Sequence, residues 1–213
     1  MDALVILLGL ASFALAFLLG SIPWGLVVSK LLYRKDIRDV GSGNIGTTNA
    51  FRAMGKVGGS LVFLLDFGKG LASGFLASQL AGLTAGGDVV LHAYVCTAMA
   101  GCVWGHVFSP WLGFRGGKGI AVAIGCLFVT MGVIPSVIEL ALFAVVVLVS
   151  RYVSLGSIMA ALLCPFLAFY LYWGEWYCVT IVTAAALTIV WAHRSNIERL
   201  MAGTENRVGS KKS

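Results

Sequence analysis

Long apolar runs separated by short polar stretches occupy most of the chain. A transmembrane helix needs about 20 apolar residues, and most of these runs approach or exceed that length. The pattern predicts an all-α, polytopic integral membrane protein with a single membrane-embedded domain over residues 1–213. Seven apolar segments stand out, at residues 3–28, 57–81, 89–107, 119–134, 135–150, 152–173 and 176–192.

The composition strengthens this prediction. Hydrophobic residues make up 59% of the chain, charged residues only 11%, and the mean hydropathy is +0.94, which excludes a soluble domain of this size. The first apolar run is long and has no Lys or Arg before it, so we expect a retained transmembrane helix rather than a cleaved signal peptide. The five cysteines lie inside apolar segments without metal-ligand spacing, which predicts free buried thiols.

The number of crossings depends on the short fourth and fifth segments, which meet at "VIPS", where Pro135 and Ser136 could form a turn or only a kink. With seven crossings, 14 of the 15 Lys and Arg residues fall on one side, and the remaining one, Lys69, lies within a helix. A single crossing over 119–150 would put Arg151 and the basic C-terminus on the opposite side. The positive-inside rule therefore favours seven helices, with the N-terminus outside and the C-terminus in the cytoplasm.

This topology places three polar loops, at residues 41–56, 105–121 and 193–207, at the same cytoplasmic face. The first reads "GSGNIGTTNAFRAMGK", and the second contains "FRGGKGIA" just before the fourth helix. Glycine-rich backbone and a helix N-terminus both present N–H groups to anions, and basic side chains add full charges. The second loop does not match a Walker A motif, and a basic loop that contacts anionic lipid is the alternative. Two glycine–basic loops on one face favour a phosphate site.

Three titratable groups leave alternatives open. His106, at the inner end of the third helix, could be a general base or acid, or a hydrogen-bonding strut that orders the second loop. Asp66 and Lys69 are intramembrane charges three residues apart, which favours a structural ion pair over a wall of the polar site or an ion path. His193 and Glu198 do not share a helix face, so we expect no His–acid dyad. The sequence offers no metal site.

At these loops the chain resembles a known family, the bacterial acyl-phosphate:glycerol-3-phosphate acyltransferases, or PlsY proteins. The first loop, "GSGNIGTTNAFR", is similar to the family's G-S-G-N-x-G-x-T-N…R motif. The second, with "GH" and "FRGGKG", resembles G-H…F-x-G-G-K-G, and the third, "HRSNIERLMAGTE", resembles H-R-x-N-I-x-R-L…G-T-E. Three specific motifs in the same order span most of the chain.

The resemblance implies transfer of a fatty acyl group from long-chain acyl phosphate to the 1-hydroxyl of glycerol 3-phosphate. The products are lysophosphatidic acid, an early intermediate of phospholipid synthesis, and inorganic phosphate. It further implies no coenzyme A thioester or acyl carrier protein as direct donor, no cofactor and no nucleic-acid partner. We expect a monomer surrounded by membrane lipids in the bacterial cytoplasmic membrane, with its active site at the cytoplasmic face.

The resemblance also assigns site residues. The predicted catalytic residues are Ser42, Arg52, Lys118, His106 and Asn196. The predicted substrate-binding residues are Gly41, Gly43, Asn44, Thr47, Asn49, Arg115, Gly116, Gly117, Gly119 and His193.

The expected chemistry needs no enzyme nucleophile, because acyl phosphate is already activated and the polar loops contain no Cys and no Ser–His–Asp set. The hydroxyl proton could go to His106 or to a substrate phosphate oxygen, and we favour the phosphate. The alternatives are a transporter for a phosphorylated solute and a lipid-binding protein without catalysis. A transporter predicts inverted repeats and polar sites at the bilayer midplane, whereas these polar residues crowd one face.

Overall fold

The computed structural model describes residues 2–209, so Lys211 and Lys212 of the predicted basic side lie outside the described residues. Over that range the fold is all-helical, without β-strands, as predicted. The α-helices are α1 (Ala3–Ser21), α2 (Trp24–Tyr33), α3 (Thr47–Ala81), α4 (Gly87–Val107), α5 (Ile120–Thr130), α6 (Val133–Ser150), α7 (Val153–Leu171), α8 (Trp176–Ala192) and α9 (Arg194–Met201).

Each of the seven predicted apolar segments corresponds to a helix or a pair of helices. Five helical stretches are long and apolar enough to cross a membrane, namely α1 with α2, α3, α4, α6 and α7. A sixth is possible if α8 and α9, which meet at a 52° bend, form one span. The remaining apolar helix, α5, has only 11 residues.

The break between the fourth and fifth segments is not where the sequence placed it. α5 ends at Thr130 and α6 begins at Val133, so the turn falls at Gly132 rather than at Pro135 and Ser136. Gly132 has a φ of 83°, a conformation open to glycine. Pro135 lies in the first turn of α6, where backbone N–H groups have no partner within the helix, so its missing N–H costs no hydrogen bond.

The loop boundaries also need correction. Residues 47–54 of the predicted loop 41–56 belong to α3, which is interrupted at Gly55, and much of the predicted loop 193–207 is α9. The predicted loop 105–121 is shorter, because α4 continues to Val107 and α5 starts at Ile120. Polar residues identify a segment that lies outside the apolar interior. They do not show whether that segment is a loop or a short helix.

α4 is the central helix and packs against α1, α3, α5 and α8. Gly101 and Gly105 form a G-x-x-x-G pair on α4, where a Cβ atom would collide with the backbone carbonyls of Phe13 and Phe17 on α1. Small residues at this spacing let helices approach closely, which is the usual packing of transmembrane helices.

A break at Ile22–Pro23 separates α1 from α2 and frees two carbonyl groups. The Ile22 carbonyl accepts a hydrogen bond from Lys69 Nζ at 2.7 Å. The Ser21 carbonyl accepts one from Ser109 Oγ, also at 2.7 Å. The break therefore ties α1 to α3 and to the segment that links α4 to α5, and it holds one end of the bundle together.

Candidate active site

A cavity of about 750 Å³ opens at the end of the bundle where α3, α5, α7 and α9 begin. All three predicted polar stretches contribute to its lining, together with the segment that follows α9. The volume falls in the range of small-molecule sites. Ten of the predicted site residues line it: Ser42, Asn44, Thr47, Asn49, Arg52, His106, Lys118, Gly119, His193 and Asn196.

Five predicted substrate-binding residues do not line this cavity. Arg115 is exposed and lies outside it. Gly116 and Gly117 pack against His106, and a Cβ atom on Gly117 would collide with the imidazole ring. Their small size therefore lets the backbone pass over the histidine. The other two are Gly41 and Gly43.

Asn49 orders the segment before α3 and accounts for the role of Gly41. Its buried amide Nδ2 donates to the backbone carbonyls of Ile37, Val40 and Asn44, at 3.1, 2.9 and 2.9 Å. Its Oδ1 accepts from the Ser42 N–H at 2.9 Å. Gly41 has a φ of 64°, and a Cβ atom there would collide with that Oδ1. These contacts give Asn49 a role in shaping the cavity wall, and substrate binding by Asn49 stays a prediction.

On the other side of the cavity, a hydrogen-bond network joins the segment before α5 to α7, to α9 and to the segment after α9. The Lys118 ammonium donates to Asn196 Oδ1. The Asn196 amide in turn donates to Glu205 Oε1 at 2.9 Å, and Ser154 Oγ donates to the same oxygen at 3.1 Å. Arg199 Nε donates to Glu205 Oε2 at 2.6 Å. Glu205 is thus the common acceptor that fixes the position of Asn196 and, through it, of Lys118.

The environment of Lys118 makes its ammonium easier to deprotonate. Burial lowers the pKa of Lys118 to about 8, helped by the nearby charges of Arg199 and Arg52 and opposed by Glu205. An anion bound beside the ammonium would favour its charged form. Lys118 is therefore suited to hold an anion near neutral pH.

Asp66, Lys69 and His106 form a cluster in the wall of this cavity, where Asp66 and His106 line it, and all three are at most 5% exposed. The Lys69 ammonium lies 2.8 Å from Asp66 Oδ1, so the predicted ion pair is present. The same ammonium lies 3.0 Å from His106 Nδ1. Because an ammonium can only donate, Nδ1 is the acceptor and the proton of the neutral ring is on Nε2. His106 thus has no unprotonated nitrogen free to accept another proton.

The N-termini of α3, α5 and α9 meet at the cavity, through Thr47, Gly119 and His193. The first backbone N–H groups of a helix lack partners within it and favour anions. Thr47 Oγ1 is buried and makes no hydrogen bond within residues 2–209. With Arg52 and Lys118 also in the lining, the cavity is suited to anionic groups.

His193 is buried and oriented by its own helix. Its Nδ1 lies 2.8 Å from the Ile189 carbonyl, so Nδ1 carries the proton and Nε2 is left as an acceptor. Within the described part of the chain, no three His, Cys, Asp or Glu side chains are grouped so that they could hold a metal ion.

Sequence reasoning did not name Glu205 or Ser154 as site residues, and two lining residues, Val208 and Gly209, lie beyond the predicted loop 193–207. The "GTE" that ends the third motif is the available signal for Glu205. Ser154 lies at the start of an apolar helix, and its sequence neighbours give no indication that it faces polar groups.

Comparisons with known proteins agree with this architecture. A family model described as glycerol-3-phosphate acyltransferase matches residues 10–203. A glycerol-3-phosphate acyltransferase from Trichlorobacter lovleyi is 44% identical over 199 residues, which cover 93% of this chain and 97% of the relative. Another, from Listeria monocytogenes serotype 4a, is 39% identical over 196 residues, or 91% of this chain and 93% of the relative.

The fold is also similar to crystal structures of PlsY (YgiH), an integral membrane glycerol 3-phosphate acyltransferase. The glycerol 3-phosphate form superimposes with a TM-score of 0.82 at 36% identity, covering 94% of this chain and 96% of that one. The lysophosphatidic acid form gives a TM-score of 0.79 at 34% identity, covering 94% and 95%. With this likeness over nearly its whole length, the chain belongs to the glycerol-3-phosphate acyltransferase family of integral membrane proteins.

Proposed function

We propose that this protein transfers a fatty acyl group from acyl phosphate to the 1-hydroxyl of glycerol 3-phosphate in phospholipid synthesis. The observation that carries the proposal is the cationic cavity at the meeting point of three helix N-termini. Apolar side chains of α5 and α6, among them Ile124, Leu140 and Phe143, line the same cavity. An acyl donor with a phosphate head and a hydrocarbon tail matches a cavity that is cationic on one part of its wall and apolar on another. The names of its relatives support the same acceptor.

In the proposed reaction the 1-hydroxyl oxygen forms an ester bond with the acyl carbonyl carbon. The bond between that carbon and the phosphate oxygen breaks, and inorganic phosphate leaves. We assign Lys118 and Arg52 to the phosphate groups, with Ser42, Asn196 and His193 positioning the acceptor. Two anions held side by side, with their charge stabilised, are the main requirement for this reaction.

The hydroxyl proton goes to a phosphate oxygen of the substrate. His106 is the main alternative acceptor, but its Nδ1 already accepts from Lys69. We therefore assign His106 a positioning role, since its ring packs under Gly117 and its carbonyl accepts the Gly117 N–H at 3.0 Å.

We propose the following arrangement in the membrane. The protein works as a single membrane-embedded domain and a monomer among membrane lipids, with seven spans and its cavity at the cytoplasmic face of the bacterial membrane. Acyl phosphate is the direct donor, without coenzyme A. The test supplies purified protein with palmitoyl phosphate and glycerol 3-phosphate and measures lysophosphatidic acid and inorganic phosphate. The transporter alternative gains no support from the relatives.

The proposed orientation predicts a labelling pattern. In a variant without the five native cysteines, Ala85→Cys between α3 and α4 should react with an impermeant maleimide added to intact cells. Lys35→Cys, after α2, should react only after the cells are opened. Both positions are exposed in the fold. Labelling of position 35 from outside would reverse the orientation and remove the cavity from the cytoplasmic face.

The lowered pKa of Lys118 predicts the pH dependence of the reaction. The ammonium must be charged to hold phosphate, so kcat/KM should fall as the pH rises through about 8. Substrate anions favour the charged form, so the fall in kcat should come at higher pH. Lys118→Arg cannot deprotonate in this range and should lose the alkaline fall in its residual activity. An identical alkaline fall in this variant would assign it to another group.

A further inference from the structure

The segment after α9 returns across the cavity and is held at the turn between α6 and α7. The Val208 N–H donates to the Arg151 carbonyl at 2.8 Å. The Arg151 guanidinium donates back to the Val208 carbonyl, at 3.1 Å from Nε and 2.7 Å from Nη2. One residue of the turn thus satisfies both backbone groups of one residue of the C-terminal segment.

A second contact lies directly beside the first. Arg207 Nε donates to the Tyr152 hydroxyl at 2.8 Å, and its guanidinium carbon lies 5.2 Å from the centre of that ring. Arg151 itself adopts a left-handed conformation with a φ of 64°. It ends α6 and precedes α7, which begins at Val153. We call the Arg151–Val208 and Tyr152–Arg207 contacts the tail clamp.

The tail clamp lies close in sequence to Glu205, the acceptor that holds the cationic side chains of the cavity in place. Glu205 lies between α9 and the clamp and accepts hydrogen bonds from Ser154, Asn196 and Arg199. Asn196 in turn accepts from Lys118. The path from clamp to ammonium therefore runs along the chain from Val208 to Glu205 and then through direct hydrogen bonds. Residues 205–209 themselves line the cavity.

We propose that Arg151 is a positioning residue for the acyl transfer, acting through the tail clamp to keep Glu205 under Asn196 and Lys118. The proposal rests on the proposed function in taking Lys118 as a phosphate ligand. Arg151 is not among the residues that line the cavity, and its side chain reaches the cavity wall through the Val208 carbonyl.

Release of the clamp has a specific electrostatic consequence. The charged and titratable groups that act on Lys118 are Arg52 on α3, Arg199 on α9, Glu205 in the tail, and the neighbouring His193. Glu205 is the one of these that raises the pKa of Lys118. If the tail moves away, the two arginines remain, and the pKa of Lys118 falls further below its ordinary value.

The test compares Arg151→Gln, Arg151→Lys and Lys35→Gln. Lys35 is an exposed cation outside the cavity and controls for the loss of charge. In Arg151→Gln, KM for glycerol 3-phosphate should rise by about tenfold, as for one lost charge-assisted hydrogen bond, with a smaller change in kcat. The alkaline fall in kcat/KM should move to lower pH. Arg151→Lys, which can still donate to the Val208 carbonyl, should recover much of the wild-type KM.

A second measurement does not depend on turnover. The rate at which an amine reagent modifies Lys118, followed by mass spectrometry against pH, should show a lower midpoint in Arg151→Gln than in Lys35→Gln. An unchanged KM and an unchanged midpoint in Arg151→Gln would overturn the proposal. A wild-type protein that makes no lysophosphatidic acid, while the pH midpoint of Lys118 modification still shifts in Arg151→Gln, would contradict the proposed function. That result would still support the coupling of the tail clamp to Lys118.

Discussion

Replacing Lys118 by methionine is expected to lower kcat/KM for glycerol 3-phosphate by about 10- to 100-fold, the effect of one lost charge-assisted contact. We expect the upper part of this range, because the change also leaves Asn196 Oδ1 without its donor. Arg52→Met should show a loss of similar size, since Arg52 lines the cavity opposite the α9 network. Initial rates at varied glycerol 3-phosphate measure both effects.

The matched control for these variants is Lys35→Met. It removes the same charge from an exposed position outside the cavity and should leave kcat/KM within about twofold, since exposed charges act weakly through screened solvent. Lys118→Met with wild-type kcat/KM would show that the ammonium does not bind substrate.

Lys69→Met is expected to destabilise the protein by about 3–5 kcal/mol, the cost of breaking a buried ion pair and leaving one charge uncompensated. The substitution leaves Asp66 in a site where it is 1% exposed. It also removes the donor to the Ile22 carbonyl at the break between α1 and α2. Thermal unfolding of purified protein in detergent should show a large fall in Tm.

Two companion variants identify the cause of this loss. The Lys69→Met/Asp66→Leu double variant should recover much of the stability, because no unpaired charge remains. Lys30→Met breaks an exposed pair, with Nζ 3.5 Å from Asp36 Oδ2, and should cost no more than about 1 kcal/mol. Equal losses from Lys69→Met and Lys30→Met would mean that the buried cluster contributes no special stability.

The sequence predicts the helices of this protein better than it predicts where they end. Apolar length identifies each segment because backbone in a membrane must satisfy its own hydrogen bonds. It does not distinguish Gly132 from Pro135 as the turning point, because proline is tolerated in the first turn of a helix. Nor does it distinguish a polar loop from a short polar helix, so the sequence predicts a loop over residues 193–207, where the structure has α9.

The sequence predicts those lining residues of the cavity that are polar and lie outside the apolar segments. Lys118 and Asn196 meet these conditions, and both line it. Arg115 also meets them, yet it lies outside, because a residue type and its place in a loop do not fix the direction of the side chain. The tail clamp was beyond sequence reasoning, since it joins Arg151 to Val208 across 57 positions through backbone groups.

The most direct test of acyl transfer at this cavity is to compare palmitoyl phosphate with palmitoyl-coenzyme A as acyl donors for the purified wild-type protein. With palmitoyl phosphate and glycerol 3-phosphate, we expect lysophosphatidic acid and inorganic phosphate in equal amounts, and little of either without the acceptor. Palmitoyl-coenzyme A should give little lysophosphatidic acid, because the proposed site holds the phosphate leaving group through Lys118 and Arg52. Equal turnover of the thioester, or release of phosphate without lysophosphatidic acid, would contradict acyl transfer from acyl phosphate at this cavity.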